Sequence, residues 1–170
     1  MLDKYGIRIG ISDVKAMAQE AQCPEVMKKI VDTVHSDDPV EARNAAWVMT
    51  HFTDEQVMML MPRQNEFIDL ILTTGNSSLR RLLLNIIERQ EIKEENLRTD
   101  FLDFCLEHTS SPTEQPGIQS LCMKLAYRQC RFYPELMEEF RNMLQLMQDG
   151  YAKSVMGLRR KFLSAKPSIL

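Results

Sequence analysis

A pair of amphipathic helices recurs about every 38 residues along this chain, and a repeat of that length leaves few folds open. Three apolar helical runs mark it: Ala45-Ala46-Trp47-Val48-Met49, Leu82-Leu83-Leu84-Asn85-Ile86-Ile87 and Leu121-Cys122-Met123-Lys124-Leu125-Ala126. Each follows a helix-start or chain-break signal, and each leads through a short linker into a second amphipathic helix. One hairpin of this size cannot cover its own apolar face, but stacked neighbours cover one another's. The pattern therefore predicts an all-α chain, an α-solenoid of about four antiparallel helical hairpins with the last incomplete.

Capping chemistry sets the expected boundaries. Residues 1–11 read as an N-terminal arm, 12–165 as a single repeat domain and 166–170 as a C-terminal tail. Ser12 is the expected cap of a first helix near 12–21. Cys23-Pro24 opens a second near 24–35, because proline is favoured in a first helical turn. Asp38, Pro39 and Glu41 form a capping-box arrangement for a helix ending near His51, and Thr53 with Gln56 forms another. Pro62 lies inside the helix that follows, so that helix should split near Met61. Gly75 is the expected left-handed C-cap. Further helices are expected near 78–90, 94–108, 118–131, 134–148 and 153–165. Trp47 is expected in the interface between the first two hairpins, where Ala45 and Ala46 allow helices to approach closely.

Asp38-Pro39, then Ala45-Ala46 and Val48, then a tight turn and a second helix, resembles a HEAT-type repeat of the HEAT/armadillo class. Leu82–Ile87 and the 118–131 segment look like weaker copies. The resemblance covers residues 12–165 and implies a right-handed superhelix whose second helices line a concave face. It also implies that the chain binds protein partners. One branch of HEAT-like proteins comprises bacterial DNA-alkylation-repair glycosylases, which are basic and carry a Trp/Asp site on the concave face. The net charge of −3 and the placement of Trp47 on a first helix argue against that branch.

Charge differs between the two helix types. Lys and Arg concentrate on the first helices, Asp and Glu on the second. On the implied superhelix, an acidic concave groove would run along helices 54–72, 94–108 and 134–148. Its expected outward residues are Glu66, Asp69, Arg98, Asp100, Asp103, Glu138, Glu139 and Arg141. Such a groove favours a protein or peptide with a basic segment, with Met58, Met59 or Met143 as adaptable apolar anchors. The alternative is a nucleic-acid-associated protein using a basic patch of Arg128, Arg131, Arg159, Arg160 and Lys161. A chain with no basic excess makes nucleic acid the weaker expectation. A solvated face of either sign, with no binding role, accounts for much of the same bias.

Nothing in the sequence points to catalysis. His35, His51 and His108 each sit near a helix C-terminus, where the helix dipole favours a cation. No His/Cys/Asp/Glu set has a metal-binding spacing such as CxxC or HExxH, so no metal, cofactor or catalytic set is expected. Cys105 and His108 are three apart, but Cys105 lies in an apolar stripe with Phe101 and Leu102. Cys122 and Cys130 lie about 12 Å apart on one helix and cannot bond to each other there. No apolar run is long enough for a membrane span and the first residues do not read as a signal peptide. The expected setting is the cytoplasm, with the four cysteines reduced.

Overall fold

A computed structural model of the chain describes residues 6–165. Among these residues there are ten α-helices and no strand. The helices are α1 (Ile11–Glu20), α2 (Pro24–Thr33), α3 (Pro39–Met49), α4 (Asp54–Met59) and α5 (Gln64–Thr73). They continue as α6 (Ser77–Arg89), α7 (Thr99–Ser110), α8 (Pro116–Cys130), α9 (Pro134–Leu146) and α10 (Lys153–Ser164). Residues 1–5 of the expected arm and the expected tail, 166–170, lie outside the described residues. Contacts cluster into two compact units, one through Glu91 and one from Ile92 onward.

In the first unit, α3 is the hub. It packs on α1, α2 and α6, and α5 packs on α6. Ala42, Asn44, Ala45, Ala46, Val48 and Met49 are all buried, so α3 is covered nearly all round. The fully buried Ala45 and Ala46 let neighbouring backbones come close. The repeat is also written in long-range side-chain hydrogen bonds. Asn44 Nδ2 donates to the Ile7 carbonyl at 2.8 Å, 37 residues back. Gln56 Nε2 donates to the Ala21 carbonyl at 2.9 Å across 35 residues. Asn76 Nδ2 donates to the Pro39 carbonyl at 3.3 Å across 37. Each bond joins an amide of one repeat to a carbonyl of the preceding one, in a loop for Ile7, at the end of α1 for Ala21 and in the first turn of α3 for Pro39, so polar as well as apolar contacts mark the stacking period.

In the second unit, α7 packs extensively on α8, while α9 and α10 pack on α8 and on each other. The Tyr127, Phe140 and Phe162 rings, from α8, α9 and α10, form one aromatic cluster. Tyr127 stacks on Phe162 at 4.5 Å, and Phe140 meets Phe162 edge-on at 6.0 Å. Gln119 reaches back to the Ser111 carbonyl at 2.6 Å, and Tyr151 Oη donates to the Ser110 carbonyl at 2.6 Å, 41 residues away.

Several expected boundaries hold and several move. Asp38 caps α3 by accepting from the Val40 and Glu41 amides at 2.7 and 3.2 Å. The reciprocal half of that box is absent: Glu41 accepts instead from Ser36 Oγ at 2.6 Å, and Ser36 Oγ accepts from the Asp38 amide. Thr53 and Gln56 close both halves of theirs, at 2.9 and 3.2 Å. Pro62 splits its helix as expected, leaving a 3-10 turn, Met61–Arg63, between α4 and α5.

Gly10, not Ser12, precedes the first helix, and the Asp13 carboxylate accepts the Gly10 amide at 3.0 Å. Gly75 is not a left-handed cap. Thr74 ends α5 in extended backbone and Asn76 caps α6 at once, so the link is made without a left-handed residue. Among the described residues the positive-φ glycine is Gly150, at φ 120°. The helix expected from residue 94 begins at Thr99, after a 3-10 turn over Glu94–Asn96.

Trp47 is half-buried rather than a core residue, with the Arg43 guanidinium 5.7 Å above its ring. The run around it is apolar on three sides of the helix, and the hub position of α3 buries its alanines instead. Trp47→Ala is therefore expected to cost about 1–2 kcal/mol in urea unfolding, below the 3–5 kcal/mol of a fully buried aromatic. A loss in that higher range would place the indole in the core.

Candidate functional site

The acidic residues expected to face a partner separate into two groups. The first is occupied by cations of the same unit. Glu66 Oε2 is held by Arg63 at 2.9 and 2.7 Å, with His35 Nε2 at 3.6 Å. Arg63 also reaches Asp32 at 2.7 Å, and Lys28 holds the other Asp32 oxygen at 2.7 Å. The hydrogen bond from Lys28, aided by Arg63, keeps the Asp32 carboxyl below the usual carboxylate range. Arg98 and Asp100 form a two-pronged pair at 3.0 and 2.7 Å, and Asp100 also accepts the Phe101 amide at 2.8 Å. The Arg98 bond holds Asp100 ionised further into acid than an ordinary aspartate. Asp69 is exposed on α5, its main-chain carbonyl accepting Thr73 Oγ1 at 2.9 Å.

The second group is open. Asp103 on α7 and Glu138 and Glu139 on α9 are exposed, and their carboxylates form no ion pair or hydrogen bond among the described residues. Glu139 makes itself felt at Cys130: burial, with the Glu139 charge added, pushes that thiol up to about 12. Burial also raises the Cys105 thiol well above its ordinary value. Cys105, Cys122 and Cys130 are buried packing residues, and Cys105 lies in the core as its apolar stripe indicates.

Arg141 does not face outward. Its guanidinium donates to the Leu163 carbonyl at 2.8 Å, to Ala165 at 3.1 Å and to Phe162 at 3.4 Å, and so closes the C-terminal end of α10. Arg159 answers from α10, donating to the Leu144 and Gln145 carbonyls at the end of α9. The first unit repeats the device. Arg80 donates to the Ile71 and Thr74 carbonyls at the end of α5. Arg89 donates to the Thr50 and Phe52 carbonyls beyond α3 at 3.2 and 2.7 Å, and to Asp54 at 2.8 Å. The last carbonyls of a helix have no partner within it and carry partial negative charge, and a guanidinium fork meets both needs.

Three arginines of the first helices, Arg80, Arg89 and Arg159, therefore fasten one helix end to another, as Arg141 does from α9. Of the expected basic patch, Arg159 is a clamp, Arg128 is half-buried and Arg131 lies over the Phe132 ring at 5.1 Å. Arg160 and Lys161 are exposed on α10. The clamping role escaped sequence reasoning because an arginine on a polar helix face looks the same whether it meets water or a neighbour's carbonyl.

The histidines are likewise accounted for locally. His51 Nδ1 meets the Trp47 carbonyl at 3.1 Å near the end of α3. His108 stacks on Phe104 at 3.9 Å and bonds Glu114, a partner that its helix-end position did not reveal. Among the described residues no group of three or more His, Cys, Asp or Glu is arranged to hold a metal ion. No described helix is long and apolar enough to cross a membrane.

Stacked helix pairs, repeat-spaced hydrogen bonds and the Asp38-Pro39 start agree with one comparison: a family model described as HEAT repeat domain matches residues 2–166. The chain belongs to the HEAT repeat family. No curated protein and no solved structure gives a match. A HEAT repeat domain points to protein–protein interaction or scaffolding. In this HEAT repeat protein the apolar residues available for such contact include Met58 and Met59, 40% and 60% exposed on α4.

Proposed function

We propose that this HEAT repeat protein is a non-catalytic interaction or adaptor module of the cytoplasm, and that it takes a Lys/Arg-rich segment of a partner protein on the acidic surface of its second-type helices. The carrying observation is the contrast between Asp103, Glu138 and Glu139, which are exposed and unpaired, and Arg141 and Arg159 of the same unit, which are engaged with helix ends. Unpaired carboxylates keep their field for an incoming cation, whereas Glu66 and Asp100 are already neutralised by Arg63 and Arg98. Four free cysteines suit a reducing compartment.

Charge of this kind acts on encounter rate and specificity more than on raw affinity. Reversing Asp103, Glu138 and Glu139 to Lys should slow association with a lysine-rich peptide about tenfold at low salt, and flatten its salt dependence. Stopped-flow association across a salt series measures both. An unchanged rate with an unchanged salt slope sinks the proposal.

A further inference from the structure

Within the second unit a groove of about 780 Å³ opens where α7 and α9 end and the loop into α10 passes them. Met143, Met147, Pro112 and the Tyr151 ring contribute its apolar lining. Leu146 stands at its edge, 82% exposed, far more than a leucine in an amphipathic stripe ordinarily is. The groove is built rather than incidental. Tyr151 Oη fastens the loop to the Ser110 carbonyl at 2.6 Å, and Gly150 supplies the φ of 120° that the loop's bend requires. Holding the lining in place beforehand lowers the ordering cost of a ligand.

Its charge is one-sided. Glu139 and Asp149 line it, and no Lys or Arg does. The C-terminal ends of α7 and α9 add partial negative charge from their last carbonyls. Arg159 offsets part of this at α9 but is not a lining residue. A polar or acidic occupant gains nothing from such a floor and rim, whereas an apolar side chain with a cation beside it satisfies both.

We infer that this groove seats an amphipathic, basic helical segment of a partner protein. One large apolar residue of the segment covers Leu146 and Met143, and a Lys or Arg about one turn away meets Glu139 and Asp149. The inference rests on the basic-segment reading above and adds where the segment is anchored and in what conformation.

The test uses the full chain labelled with ¹³C at its methionine methyls. The probe is a synthetic helical peptide with leucines on one face and flanking lysines, set against a peptide of the same composition scrambled so that no apolar face forms. The amphipathic peptide should move the Met143 and Met147 methyl signals and leave Met58 and Met59 in place. Leu146→Gln should weaken its binding about tenfold, in the range of an interface anchor, without changing the scrambled peptide's binding. Because Leu146 is exposed, this substitution leaves the fold intact. Salt-sensitive binding of both peptides with Met143 and Met147 unmoved overturns the groove and leaves the charge reading standing. If neither peptide binds at low salt, both fall. A Met143 shift that depends on protein concentration alone assigns the groove to a second copy of the chain and overturns the inference.

Discussion

Phe140→Ala is expected to cost about 3–5 kcal/mol, the largest loss of any single truncation considered for this chain. Phe140 is fully buried on α9, its ring 6.1 Å from Tyr127 of α8 and 6.0 Å from Phe162 of α10. One side chain therefore joins three helices, and its removal leaves a void that none of them can fill without moving. Ring pairs at these spacings add to simple burial. Phe140→Leu keeps most of the volume and should cost under about 1.5 kcal/mol. Urea unfolding followed by far-ultraviolet circular dichroism reads both. A loss below about 1 kcal/mol in the alanine variant would mean that this cluster does not hold α8, α9 and α10 together.

Arg89→Met should cost about 2–3 kcal/mol, although it removes no buried apolar group. The Arg89 fork serves the Thr50 and Phe52 carbonyls and the Asp54 carboxylate, so it ties α6 to the turn between α3 and α4. Its side chain is only 22% exposed, and the two carbonyls lose a charged donor when it goes. Methionine retains the packing of the stem, which isolates the loss of the fork. Arg89→Lys should rescue little, because a point ammonium cannot span acceptors placed for a planar guanidinium. Equal stability of the lysine variant and the parent would reduce the interaction to charge alone.

The arginines also show where the sequence was legible and where it was not. Helix starts could be read closely where a side chain closes the first turn by itself. Asp38, Thr53 with Gln56, and Pro62 all act as their local chemistry dictates. Family and fold class followed from the repeat, because period and patterning are properties of the chain alone. What depends on a neighbour was not legible. Trp47 sits in an apolar run, yet the hub position of α3 buries Ala45 and Ala46 and leaves the indole half-covered. Gly75 sits where a left-handed cap is common, but the immediate start of α6 makes the turn unnecessary. Arg141 and Glu66 looked like groove residues because an outward helix position says nothing of a helix end or cation standing opposite.

In the second unit Arg141 and Arg159 hold helix ends together, and the proposed function leaves the open carboxylates on α7 and α9 to a partner. Thermal melting of two variants side by side tests it without knowledge of the partner. One variant carries Arg141→Met and Arg159→Met, the other Asp103→Lys, Glu138→Lys and Glu139→Lys. The account predicts that the arginine variant melts about 5–10 °C below the parent, from a combined loss of about 2–3 kcal/mol. The carboxylate variant should melt within about 2 °C of the parent, because exposed, unpaired charges contribute little to stability. A carboxylate variant that melts well below the parent while the arginine variant melts with it would contradict the account, since the acids would then be the structural residues and the arginines the free ones.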